Sequence, residues 1–142
     1  MIIETTNFVK GQGCLLAIDH GSKYLGLAIA DERINIAMPF GVVANKGEEY
    51  VLTELKKIIS EKNITKIIIG RPLALSGNIT EQTQITDQFI AWLKKEITTP
   101  IEVFDERFTT KMSKLPDSKK NNAEGHDSAA AIFLQDYLER TK

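Results

Sequence analysis

Residues 15–31 read LLAIDHGSKYLGLAIAD, and the fold turns on how this stretch divides. Leu15-Leu16-Ala17-Ile18 is a short, unbroken apolar run, the pattern of a central strand covered on both faces. It ends on Asp19. His20-Gly21-Ser22-Lys23 is a tight polar turn, with a glycine where the backbone takes a positive φ or meets a close neighbour. Tyr24 to Ala30 is a second apolar run with Gly26 inside it. A glycine in a strand costs stability and often marks a close approach. A carboxylate at the tip of a rigid strand, beside the free N–H groups of a turn, can hold a metal ion or a phosphate. It can equally do no more than accept hydrogen bonds from the turn.

Outward from this hairpin, a third strand is expected within Ala37 to Ala44, with Pro39 marking an irregular or edge position. Short turns make the three an antiparallel meander. From Glu48 to Lys62 the period changes: Val51, Leu52, Leu55, Ile58 and Ile59 share one helical face. Acids open this helix, a lysine closes it, and Asn63 can end it. Lys66 to Ile69 is a second buried strand, running into Gly70-Arg71-Pro72 and a loop from Leu73 to Ile79. Thr80 to Glu96 is a second helix with the stripe Ile85, Phe89, Trp92, Leu93, capped by Asn78 or Thr80. Ile101 to Phe104 is the fifth strand, and it ends in Asp105-Glu106-Arg107. Lys111 to Asn122 is polar and lysine-rich, and a mobile loop or a short irregular helix is expected. Asp127 to Arg140 is the last helix, with Ala129-Ala130-Ala131 allowing close packing on the sheet.

Three strands, helix, strand, helix, strand, helix is the order of a ribonuclease H-like α/β fold: a mixed five-stranded sheet with helices on both faces. The 142 residues suit one domain, 1–142, with 1–13 a leader before the first strand. A single cysteine, Cys14, excludes an internal disulfide. No apolar run reaches membrane-span length and no signal peptide opens the chain, so a cytoplasmic location and no membrane partner are expected. The net charge of −1 gives no global argument for nucleic acid, so local patches would have to hold such a partner.

In this topology Asp19 ends the first strand, Glu106 ends or just follows the fifth, and Asp127 opens the last helix. Sites in α/β sheets gather where strand ends and loops converge. Three carboxylates at one rim repel each other, and a divalent cation stabilises them. All-oxygen ligands favour Mg²⁺ or Mn²⁺, and two such ions support in-line phosphodiester hydrolysis. Each acid also has a structural explanation. Asp127 would favourably face a helix dipole. Glu106 beside Arg107 could be a surface ion pair. Asp105 points to the opposite face from Glu106 and is left a supporting or capping role.

Four ordered segments between Leu15 and Glu139 resemble the YqgF/RuvX family, relatives of the RuvC-type Holliday junction resolvases. LLAIDHGSKYLGLAIAD is similar to its Asp-x-Gly-(Ser/Thr)-Lys opening and IIIGRPLALSG to its Gly-x-Pro-Leu loop. VFDERFTT is similar to its Asp-Glu-Arg-x-Thr motif and HDSAAAIFLQDYLE to its closing helix. The resemblance implies a ribonuclease H-like fold, metal-dependent nuclease chemistry at Asp19, Glu106 and Asp127, and a role in maturing the 5′ end of pre-16S rRNA. The chain departs from the family at His20, Tyr24, Arg71 and Ala74-Leu75-Ser76, and in a shorter segment between Thr110 and Asp127. These departures bear on substrate contacts.

Lys23, Arg71, Arg107, Lys111 and Lys114 are the candidate contacts to a polyanion, with Lys119-Lys120 beyond them. A lysine-rich loop is more often simply a solvated one, which is the commoner explanation of the last four. His126 abuts Asp127 and could shuttle protons, but it and His20 are read as exposed and uninvolved. Alternative functions are a Holliday junction resolvase acting on branched DNA and a non-catalytic RNA- or ribosome-binding protein. A nucleotide-binding fragment of the actin or sugar-kinase type would need a second domain, for which 142 residues leave no room.

Overall fold

The computed structural model describes residues 13–107 and 123–140. The leader before Gly13 and the Lys111–Asn122 loop lie outside the described residues. The strands are β1 (Cys14–His20), β2 (Tyr24–Asp31), β3 (Ala37–Ala44), β4 (Ile64–Leu73) and β5 (Ile101–Arg107), and the helices are α1 (Glu48–Glu61), α2 (Glu81–Glu96) and α3 (Ala123–Arg140). Their order in the sheet is β3-β2-β1-β4-β5. β1–β2 and β2–β3 are antiparallel, and β1–β4 and β4–β5 are parallel. This is the expected ribonuclease H-like architecture.

Strand alternation divides the core. Leu16 and Ile18 of β1 and Ile67 and Ile69 of β4 face Val51, Leu55 and Ile58 of α1 and Ile90 and Leu93 of α2. Leu15, Ala17, Ala28, Ala30 and Ile68 face Ala130, Phe133, Leu134 and Tyr137 of α3. The sheet therefore carries α1 and α2 on one face and α3 on the other. Phe133 comes so close to Gly70 that a Cβ there would lie 2.9 Å from its ring. Gly70 is thus the residue that lets α3 settle on β4.

Several boundaries differ from expectation. β4 runs on to Leu73 and β5 to Arg107, because the two strands keep pairing from Gly70↔Phe104 to Leu73↔Arg107. Pro72 is tolerated there because the β1 ladder has already ended at Ile18↔Ile69, so no strand on that side needs its N–H. α3 starts at Ala123, so Asp127 lies one turn into the helix and does not open it. On α2, Ile90 is buried and Ile85 is exposed. α1 ends without a basic residue in its last turn, Lys62 being the cap, and Asn63 follows at φ 52°. Pro39 does mark an irregularity: Leu27 pairs with Gly41 and Ala28 with Pro39, so Phe40 is bulged out of an edge strand. Gly21 is not among the positive-φ glycines. Its turn is instead clamped by Asn45, whose Nδ2 donates to the Gly21 carbonyl at 3.0 Å and whose backbone N–H donates to that of Lys23 at 2.8 Å.

Candidate active site

Leu15 and Ala17 face α3, so Asp19, two residues on, faces α3 as well. Its cross-strand neighbour in β2 is Gly26, which brings no side chain beside it. Phe104 of β5 packs on α3 through Tyr137, with ring centroids 5.8 Å apart, so Glu106 shares that face. Glu106 is 9% exposed, a buried carboxylate. Asp127 precedes Ala130 by three residues and Leu134 by seven, which places it on the helix stripe that covers the sheet.

The direction of α3 fixes the end. Tyr137 donates to Glu102 near the start of β5 at 2.9 Å, whereas Phe133, one turn earlier, stands over Gly70. Backing up the helix therefore moves toward the C-terminal tips of β4 and β5. Asp127 lies about 9 Å beyond Phe133 in that direction, at 1.5 Å per residue. All three acids thus sit on one face at one rim. Asp19, level with Gly70, and Glu106, level with Pro72, flank β4, about 12 Å apart between their backbones across two strand spacings and two residues of rise. Among the described residues no three His, Cys, Asp or Glu side chains are close enough together to hold a metal ion, so the acids share a rim without forming one ligand set.

Of the expected cations, the side chains of Lys23 and Arg71 are described. Lys23 is exposed in the β1–β2 turn at the same rim. Arg71 faces α2, where Nε and Nη2 bond both oxygens of Asp87 at 2.8 and 3.2 Å, and Nη1 reaches Asp105 at 3.4 Å. Those partners hold its guanidinium even more firmly protonated than usual. Arg107 ends β5 and His126 lies in α3, and both side chains fall outside the described residues, as do Lys111, Lys114 and Lys119-Lys120. His20 is not the exposed histidine expected. It turns to the α2 face and stacks on Phe89 with ring centroids 4.3 Å apart. Burial pushes its pKa below the ordinary value, with Asp19 acting in the opposite sense.

Two residues that shape the rim were missed. Asn45 holds the turn after Asp19, as above. Thr83, fully buried, donates from Oγ1 to the Pro72 carbonyl and so ties α2 to the tip of β4. Thr83 also completes a capping box with Thr80. A threonine three residues after a candidate cap was the available signal for Thr83.

The RuvX family profile, described as Holliday junction resolvase, matches residues 13–140. A Rickettsia africae protein named "Putative pre-16S rRNA nuclease" is 37% identical over 134 residues, covering 90% of this chain and 87% of its own length. A Rickettsia felis protein of the same name matches equally well, at 37% over 134 residues. Among solved structures, Thermus thermophilus RuvC in complex with Holliday junction substrate superposes with a TM-score of 0.50 at 12% identity, covering 91% of this chain and 95% of that one. Fowlpox virus resolvase, solved with Holliday junction DNA, gives 0.52 at 13% identity, covering 90% of this chain and 98% of that one. At such identities the likeness to these two structures is one of fold. The match along almost the whole chain, and the relatives at 37% identity, establish that the chain belongs to the YqgF/RuvX family.

Proposed function

We propose that this chain is a metal-dependent nuclease that hydrolyses phosphodiester bonds in the 5′ maturation of pre-16S rRNA in the cytoplasm. The reading is supported by strand and helix periodicity, which puts Asp19, Glu106 and Asp127, from three distant segments, on the α3 face toward one end of the sheet. The relatives' shared name supports the substrate.

The donor chemistry fits a hard divalent ion: three carboxylates and no sulfur or imidazole favour Mg²⁺ or Mn²⁺. Asp19, Glu106 and Asp127 would hold it, their side chains closing toward one another to do so. Bound there, such an ion would activate water and stabilise the leaving oxygen of an in-line displacement. The chain supplies a rigid strand tip for Asp19 and a buried environment for Glu106. Lys23, at the same rim, would attract and orient the phosphate backbone without reading sequence.

The family's description favours a second substrate, branched DNA. Both are tested by offering precursor rRNA with its 5′ extension, and a four-way DNA junction, with Mn²⁺. Cleavage of the RNA is expected, and Asp19→Asn should lower it at least about a hundredfold with little change in melting temperature. Undiminished cleavage by that variant would remove the acidic site from the mechanism, and cleavage of the junction alone would reassign the substrate.

A further inference from the structure

We infer that Arg71 is a positioning residue for Glu106, acting through Asp87 and Asp105, and is not a substrate contact. The inference rests on the nuclease reading above. β1 pairs with β4 only as far as Ile18↔Ile69. Beyond that level β4 has parted from β1, which stays paired with β2, and Gly70–Leu73 of β4 pair only with Phe104–Arg107 of β5, the edge strand. A two-stranded ribbon is marginally stable on its own. Glu106 lies inside this ribbon, opposite Pro72. A ligand carboxylate must be held to within about half an ångström to work, so the ribbon tip needs anchoring from outside the sheet.

α2 supplies the anchor. Thr83 bonds the Pro72 carbonyl, and Asp87, one turn later, takes the Arg71 guanidinium in a two-pronged pair. Paired forks of this kind are the strong, directional form of an ion pair. The same guanidinium reaches across the ladder to Asp105, its register partner in β5 and the residue before Glu106. Arg71 thus joins α2, β4 and β5 at the level of Glu106 while occupying the opposite face of the sheet. An exposed pair such as Arg71–Asp105 contributes little to stability alone. Here it fixes the lateral position of a strand end that has no neighbour on its other side.

The test compares wild type with Arg71→Ala, Arg71→Lys and Asp87→Asn in the full chain, by two measurements. Mn²⁺ binding, followed by the electron paramagnetic resonance signal of free Mn²⁺, should weaken about tenfold in Arg71→Ala, the size expected for residues that orient a ligand. Arg71→Lys should fall between wild type and Arg71→Ala, because an ammonium keeps the charge but loses the fork. Hydrogen exchange at the Phe104–Arg107 amides should speed up by a similar factor in Arg71→Ala and Asp87→Asn.

A lower melting temperature with Mn²⁺ affinity and exchange both unchanged would overturn the inference. So would a raised KM for nucleic acid at unchanged Mn²⁺ affinity, which would make Arg71 a substrate contact. A wild type that holds no Mn²⁺ would instead overturn the nuclease reading and Arg71's link to a metal. The exchange comparison would still decide whether Arg71 anchors β5. Should Arg71→Ala fail to fold, Arg71→Lys and Asp87→Asn carry the same comparison.

Discussion

Asp105 and Glu106 are consecutive in β5, yet they end in different chemistry. Asp105 is 61% exposed, faces α2 and meets Arg71. Glu106 is 9% exposed, faces α3 and joins Asp19 and Asp127 at the rim. The same division runs through β1, where His20 stacks on Phe89 and Asp19 turns the other way. On the α2 face acids and bases are matched at hydrogen-bond distance. On the α3 face Lys66 pairs with Glu102 near the start of β5, while Asp19, Glu106 and Asp127 lie toward the opposite end. A period of two along each strand is enough to put an arginine held by two acids on one face and the buried Glu106 on the other.

The comparison breaks most readily at Glu106. Glu106→Gln should lower metal-dependent cleavage at least about a hundredfold, whereas Asp105→Asn, which keeps a side-chain oxygen that can accept from Arg71, should cost no more than about fivefold. Similar losses in steady-state assays of the two variants would mean that the two faces are not functionally distinct.

Gly70→Ala should come next. Its Cβ would meet the Phe133 ring at 2.9 Å, so α3 must shift or the ring must turn, a strain of about 1–3 kcal/mol. Chemical denaturation would measure it. Because α3 carries Asp127, Mn²⁺ affinity should fall as well. Lost stability with unchanged affinity would separate the helix from the site.

The smallest effect concerns a matched pair at the other end of the sheet. Arg33 bonds the Asp31 carboxylate through its side chain and its backbone N–H, and holds the Asp31 pKa at about 2 against an ordinary 3.8. Its folded pKa is depressed, so the pair's contribution is present above pH 3.8 and is lost as pH falls through about 2. In Arg33→Ala, which keeps the backbone N–H bond, the Asp31 carboxyl carbon followed by nuclear magnetic resonance should titrate above about 2 but below the ordinary value. A midpoint still at about 2 would show that arginine is not the cause.

Much of this was legible in the sequence. Unbroken apolar runs bounded by turns fixed β1, β2 and the core of β4, and the change of period fixed α1 and α2. Asp19 was readable as the residue that stops a buried strand. The boundaries of β4 and β5 were not, because Gly70-Arg71-Pro72 looks like a loop until a parallel partner continues beside it. The start of α3 was hidden because Ala123 to His126 has no apolar stripe of its own. Arg71 was readable as a cation near the site, but not as one turned away from it. That depends on the register of β4 and on Asp87, sixteen residues further along the chain.

The bulge at Phe40 has a consequence for solubility. β3 is an outer strand, and Ile36 beside it and Met38 within it are 58% and 60% exposed, the makings of an adhesive edge. A flat edge of that kind would recruit strands from other molecules and seed aggregates. Pro39 removes one donor from the edge and the bulge breaks its hydrogen-bonding rhythm, so an incoming strand finds no long run to zip onto. Ile36 and Met38 are thus left in water beside the least regular part of the outermost strand, where an added strand would find the poorest template.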